Sequence, residues 1–130
     1  MIYHENLDGS VRLMPATSDI INVYLGASVV AMSSHYEGLP MVLLEAQSLG
    51  LPIVAFACQC GPKDIISDGE TGFLVPEGDV EGLAEKLITV IKDNVLRLSM
   101  GKQAKEASRR YEEEAVMQLW MDIFQTVMKA

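Results

Sequence analysis

The chain carries 130 residues, 49% of them hydrophobic and 22% charged, with 18 acidic against 10 basic side chains and a formal net charge of −8. That length and mix suit one soluble domain with a real core and exclude a disordered or fibrous chain. The acidic balance excludes a nucleic-acid module, which needs a basic face, but not a single phosphorylated ligand held by local backbone dipoles.

The first apolar segment, Val11–Pro15, is brief and reads as a strand. Ser18 stands where a cap belongs for a short helix over Asp19–Leu25. A second strand falls within Gly26–Ser34, small and apolar at first and polar at its end. A helix follows from about Pro40 to Leu49, because proline suits the first helical position and Gly50 the exit. The Gly50–Pro52 break leads to a third strand, Pro52–Ala57, then a turn of helix at Pro62–Ile66 and a turn at Asp68–Gly69. Gly72–Pro76, set between glycine turns, is the fourth strand. None of the four alternates apolar with polar, the pattern of strands buried on both faces in a parallel sheet. From there the pattern is helix alone. Asp79–Lys92 carries Leu83, Leu87, Ile88 and Ile91 on one stripe, and Val95–Arg110 follows. Glu112–Lys129 comes last, with Val116, Leu119, Trp120, Ile123, Phe124 and Val127. Trp120 and the eight methionines read as core and helix-packing material. The basic residues between Lys86 and Arg110 sit amid acids, as on a solvated helical face.

The expected fold is α/β: a partial Rossmann-like parallel sheet of about four strands, with flanking helices and a helical C-terminal tail, in one domain over 1–130. Doubly wound sheets usually hold about five or six strands, so the chain is expected to be the C-terminal part of something larger. The incomplete sheet would leave an apolar edge open, and self-association through it is expected. No apolar run approaches the roughly 18 to 20 residues of a membrane span. The opening MIYHENLDGS lacks the basic-then-apolar order of a secretory signal, so the cytoplasm is the expected compartment. Cys58 and Cys60 form a C-x-C pair without the further ligands a metal site would need, and read as loop thiols.

EGLPMVLLE, residues 37 to 45, holds two carboxylates eight positions apart, Glu37 and Glu45. The segment leaves the carboxyl edge of the predicted sheet, where open α/β sheets bind ligands. With Pro40 as the first helical residue, the cap falls to Leu39, which offers no side-chain acceptor. The amides of Met41, Val42 and Leu43 would then be free donors at the positive end of the helix dipole, a ready place for phosphate. Gly38 lets the backbone come close to a ligand. Glu37 lies in the loop beside that place and Glu45 in the second turn, about 12 Å further on were the whole span helical. A carboxylate repels phosphate but accepts from paired hydroxyls, so an acid beyond each end of a diphosphate suits a nucleotide with a sugar on both sides. Glutamates are common, and two acids at this spacing would by themselves read as solvent-facing. The uncapped Leu-Pro opening after a strand is what favours a site.

At this point the residues carry a family resemblance. The run SSHYEGLPMVLLEAQSLGLPIVA, residues 33–55, resembles the E-x7-E region of retaining glycosyltransferases with the GT-B fold, the large group called family 4 or glycosyl transferases group 1. Val11–Leu13 and Asp19–Val29 before it, and Gly61–Ile66, Asp68–Val75 and Asp79–Ala84 after it, fall in that family's order. The match covers roughly residues 11 to 125, and several motifs agreeing in order make it specific. The resemblance implies the donor-binding C-terminal domain of an enzyme that moves a sugar from a nucleoside diphosphate sugar to an acceptor glycan, lipid or small molecule. Such activity is hexosyltransferase-like and retains the anomeric configuration. Glu45 is implied to hold the ribose hydroxyls. Glu37, the implied catalytic residue, faces the donor sugar, with Gly38, Leu39, Pro40, Met41 and Val42 lining the sugar and distal phosphate. No metal and no cofactor is implied, the nucleoside diphosphate sugar being the donor substrate. Bacterial polysaccharide or glycolipid synthesis is the implied setting, with peripheral attachment to the inner membrane face in a full-length protein.

The departures weigh as much as the matches. The family's complete donor domain opens with a strand ending in an Arg and a Lys that neutralise the diphosphate, and nothing here occupies those positions. The acceptor-binding N-terminal domain is absent too, so these 130 residues alone are expected to be inactive as a transferase. Leu39 stands where the family often has a bulkier apolar residue. A flavodoxin- or receiver-type binding module is a rival, but the predicted strand ends at Pro15, Ser33–Ser34, Ala57 and Pro76 lack the acidic cluster of a receiver. A GT-B-type sugar-nucleotide epimerase is a second rival, disfavoured by the E-x7-E context. His35 reads as a bystander and Lys63 as an exposed lysine at a helix start. Gly61–Pro62 reads equally as a loop shaped around the nucleotide or as a plain helix start.

Overall fold

A computed structural model describes Leu7 and residues 9–129; most of the N-terminal stretch searched for a targeting signal lies outside them. Three parallel strands form one sheet in the order of the chain: β1 (Val30–Met32), β2 (Ile53–Phe56) and β3 (Gly72–Val75). The register pairs Val30 with Ile53 and Ile53 with Gly72. Helices α1 (Ile20–Leu25), α2 (Met41–Ser48) and α3 (Pro62–Ile65) alternate with the strands. After β3 come α4 (Val80–Lys92), α5 (Asn94–Ser108), a 3-10 turn (Arg109–Tyr111) and α6 (Glu113–Met128). The α/β reading with a parallel sheet holds.

The centre of the fold is β2, all four of whose residues are buried. Ile53 and Ala55 share one cluster with Met32, Leu43, Ala46 and Ile65, on the side of α2 and α3. Val54 and Phe56 share the other with Val75, Val90 and Met100, on the side of α4 and α5. Each Val, Leu, Ile, Phe or Met side chain so enclosed contributes roughly 1.5–3 kcal/mol relative to exposure. Two apolar layers, one per face, are why this strand shows no alternation in sequence.

Among the described residues, three strands are found where four were expected. Val11–Pro15 is exposed chain outside the sheet, with Leu13 81% exposed. In the usual doubly wound order, 3-2-1-4-5-6, strands 4, 5 and 6 are neighbours in chain order as these three are, and that correspondence would account for the exposed segment. A segment just before them would be strand 3, separated from strand 4 by strands 2 and 1, and no such partners are among the described residues. The second strand is also shorter than its apolar segment. Gly26 and Ala27 are used to end α1, their amides bonding to the Asn22 and Tyr24 carbonyls.

Helix ends follow side-chain chemistry. Asp19, not Ser18, is the cap residue of α1, but its carboxylate accepts from the Asn22 side chain and not from the helix backbone. Asp79 accepts from the Gly82 amide at 2.9 Å and so opens α4. Asp93 ends α4 and opens α5, accepting from Leu96 N–H at 2.9 Å, while Arg97 donates to the Val90 and Ile91 carbonyls left free at the end of α4. The core-facing stripe of α4 is the buried Val90 with the partly buried Leu83 and Leu87; Ile88 and Ile91, predicted on it, are half exposed. The helix predicted to reach Arg110 tightens into the 3-10 turn at Arg109. Packing of α5 on the turn after α2 depends on Gly101, where a Cβ would overlap the Gly50 carbonyl. The predicted core role of Trp120 fails: it is 51% exposed, α6 buries no residue, and Met32 and Met100 alone of the described methionines are in the core.

Candidate functional site

The site begins where β1 ends. The chain leaves Met32 at the carboxyl edge of the sheet, runs through a loop containing His35, Glu37 and Gly38, and enters α2 at Met41. Pro40 is the cap residue, with φ −73° and ψ 98°, and not the first helical residue predicted for it. Its ring fixes φ, but ψ stays extended, so helical geometry starts one residue later. The consequence is a smaller set of free donors than predicted. Leu43 N–H bonds the Pro40 carbonyl at 3.0 Å, whereas the amides of Met41 and Val42 have no partner among the described residues. Pro40 supplies no side-chain acceptor and no acid stands in the first turn. The helix therefore opens bare, with Met41 and Val42 exposed to solvent.

One turn on, Glu45 is exposed yet held. The buried Tyr24 on α1 places its hydroxyl 3.1 Å from Glu45 Oε2 and 3.3 Å from the Val42 carbonyl oxygen, where it can donate to either. Burial, then the hydrogen bond to Glu45 and its charge, push the Tyr24 phenol above its usual pKa. Tyr24 thus keeps its proton and aims one carboxylate oxygen, leaving the other free for a ligand. Open concavities flank Glu45 on both sides. One of about 300 Å³ runs towards α1, lined by Ile20, Ile21, Tyr24 and Leu49. The other, about 380 Å³, lies against α5 and the 3-10 turn, lined by Met41, Lys105, Arg109 and Tyr111.

The loop residues occupy the same edge. Glu37 is half-buried and makes no hydrogen bond or ion pair with any described residue. Gly38 is exposed, Leu39 is 53% exposed, and Gly61 packs against Gly38 and Pro40 from the loop after β2. His35 pairs with Glu77 at 3.0 Å, joining the loop after β1 to the one after β3. The structure thus gathers Glu37, Gly38, Leu39, Pro40, Met41, Val42 and Glu45 along one loop and helix start, without direct contact between the two glutamates. Tyr24 and Glu77 were missed in the sequence. A tyrosine on a short helix beside a strand signals a buried ring whose hydroxyl seeks a partner; Glu77 carried no local signal, its partner being 42 positions away. Cys58 is buried and Cys60 exposed, both as free thiols, and Lys63 is exposed.

A parallel sheet whose carboxyl edge carries a bare helix end and a held carboxylate defines a ligand-binding α/β domain of the doubly wound class. Residues 1–107 match the family model described as glycosyl transferases group 1, and the chain belongs to that family. It is 36% identical, over 93% of its length, to the amylovoran biosynthesis glycosyltransferase AmsD of Erwinia amylovora, of which it covers 33%. The crystal structure of Anabaena HepE in complex with UDP superimposes with a TM-score of 0.85 at 26% identity, over 99% of this chain and 35% of that one. The C-terminal domain of a group 1 glycosyl transferase from Francisella tularensis superimposes with a TM-score of 0.75 at 25% identity, over 86% of this chain and 59% of that domain. The chain spans a third or less of the length of the curated relatives it matches. Among the described residues, no helix is long and apolar enough to cross a membrane, and no cluster of three or more His, Cys, Asp or Glu could hold a metal ion.

Proposed function

We propose that this chain is the donor-binding portion of a retaining glycosyltransferase, which moves a sugar from a nucleoside diphosphate sugar to an acceptor glycan, lipid or small molecule. The observation that carries the reading is the bare start of α2, two free amides at Met41 and Val42, followed one turn later by a carboxylate that Tyr24 holds in place. The amides and the helix dipole receive the distal phosphate. Glu45 accepts from the two ribose hydroxyls, a pairing that a carboxylate with several lone pairs suits. Glu37, without a hydrogen-bond or ion-pair partner among the described residues, faces the donor sugar and is the candidate catalytic group, while Gly38 to Pro40 shape the floor beneath it. The UDP held by the Anabaena relative supports a nucleoside diphosphate as ligand class.

Two negative phosphates beside two glutamates in a chain of net charge −8 call for cations. Lys and Arg side chains from elsewhere in a longer protein supply them in this reading, as does the acceptor-binding half. These 130 residues therefore bind donor weakly and do not transfer it. The donor is a substrate, and the reading calls for no metal or resident cofactor. The proposed setting is polysaccharide or glycolipid synthesis in the cytoplasm, at the inner membrane face.

Calorimetric titration with UDP, GDP, ADP and their sugar conjugates tests this. The expected result is millimolar-range binding to one base, weakened on the order of tenfold to a hundredfold by Glu45→Ala, the loss of hydrogen bonds to a charged acceptor. Binding that Glu45→Ala leaves unchanged would overturn the site.

A further inference from the structure

Helix α3 is four residues long, too short to hold its own position, yet both its ends are fixed from outside. At its start Gly61 is buried with φ 85°, and a methyl group there would lie 2.5 Å from the Gly38 carbonyl oxygen and from the Pro40 ring. At its end the carbonyls of Asp64 and Ile65 receive donors from distant segments. Arg110 Nη2 donates to Asp64 O at 2.5 Å and Ile65 O at 3.3 Å, and Tyr111 Oη donates to Asp64 O at 2.9 Å. Gln47 Nε2 adds a bond to Ile65 O at 3.1 Å. The Arg110 guanidinium also lies over the Tyr111 ring, 4.8 Å from its centre, so the two side chains brace each other. A cation and a hydroxyl on the last carbonyls satisfy acceptors the helix cannot.

We propose that Arg110 and Tyr111 are positioning residues for the start of α2. They set the seat of α3, and α3 in turn sets Gly38 and Pro40 through Gly61. The coupling is physical: the atoms against Gly61 are a backbone carbonyl and a proline ring, neither of which swings aside as a flexible side chain would. In close-packed surroundings a few tenths of an ångström at α3 pass directly to the loop. The residues that clasp α3 lie more than forty positions along the chain, so this seat is not a local property of the Gly61–Pro62 turn. The inference rests on the donor-site reading above and adds what aligns that site.

Tyr111→Phe removes one hydroxyl and keeps the ring; Arg110→Ala removes the clasp's charge, and Arg110→Lys restores a donor. In the free chain, Tyr111→Phe and Arg110→Ala are expected to shift the NMR amide signals of Gly38, Met41 and Val42. UDP affinity, read by the same spectra at a temperature well below unfolding, should fall roughly fivefold and partly recover in Arg110→Lys. A lowered melting temperature with those amide signals unmoved would reduce the clasp to a stabilising contact and overturn the proposal. Should Arg110→Ala fail to fold, Tyr111→Phe decides alone. Should UDP fail to bind even the unsubstituted chain, the donor reading falls, while the amide shifts still decide the positioning claim.

Discussion

Strand β2 and helix α6 are both rich in large apolar residues and meet opposite fates. Every residue of β2 is buried, between the α2–α3 layer and the α4–α5 layer. In α6 none is: Trp120 is 51% exposed, Phe124 56% and Val127 69%, and Trp120 and Phe124 stack on one another. Hydrophobicity sets what a segment gains from burial, while topology decides whether there is anything to bury it against. One face of β2 is covered by the helices of its own crossovers, α2 and α3, and the other by α4 and α5, which turn back over the sheet after β3. A helix beyond the last strand has no such guarantee.

The sharpest way to break this contrast is to cut the same kind of side chain in both regions. Leu43→Ala, beneath β2 and fully buried, is expected to destabilise the chain by about 2–5 kcal/mol in urea titrations. Gly101→Ala should come next. An alanine normally stabilises a helix relative to glycine, but here its methyl meets the Gly50 carbonyl, so a loss of about 1–3 kcal/mol is expected. A gain instead would mean that α5 does not lie on the α2–β2 turn as described.

Tyr24→Phe should cost about 1 kcal/mol, the worth of one hydrogen bond. Its pH dependence is more telling. The folded chain holds the Tyr24 proton more tightly than the unfolded chain, so this contribution is full below pH 10.0 and is lost as the pH rises above it. Melting curves across that range should lose this slope in Tyr24→Phe. The smallest effect belongs to α6: Phe124→Ala should change stability by less than about 0.5 kcal/mol in dilute solution. A loss like that of Leu43→Ala would show that α6 is packed after all.

The outer edge of β1, unpaired among the described residues, supplies another test. Val30 N–H bonds Pro52 O within the sheet, so the alternation of a parallel ladder turns the Ala31 amide outward. Concentration-dependent sedimentation is expected from edge-to-edge pairing of two copies, and Ala31→Pro should abolish it.

What the sequence made legible was local. The unalternating IVAF of β2 announced a strand covered on both faces, and EGLPMVLLE announced a helix that opens without a cap at a sheet edge. What it hid was relational. Val11–Leu13 looks like a strand because its composition is that of one, but pairing needs neighbours that composition does not reveal. Trp120 has the residue type of a core and no core to enter. Pro40 gave the helix start to within one residue, and that residue decides whether two amides or three stand free. Tyr24, on which the orientation of Glu45 rests, is 21 positions away from it, and nothing local marks the pair.

That difference between two free amides and three gives the most direct test of the whole account. The chain, labelled with nitrogen-15, would be titrated with UDP beside its Glu45→Ala variant. On this reading the largest shifts fall at the Met41 and Val42 amides, a smaller one at Leu43, whose N–H is already bonded to Pro40, and the response weakens in the variant. Shifts centred elsewhere, or a response at Met41 and Val42 that Glu45→Ala leaves intact, would contradict it.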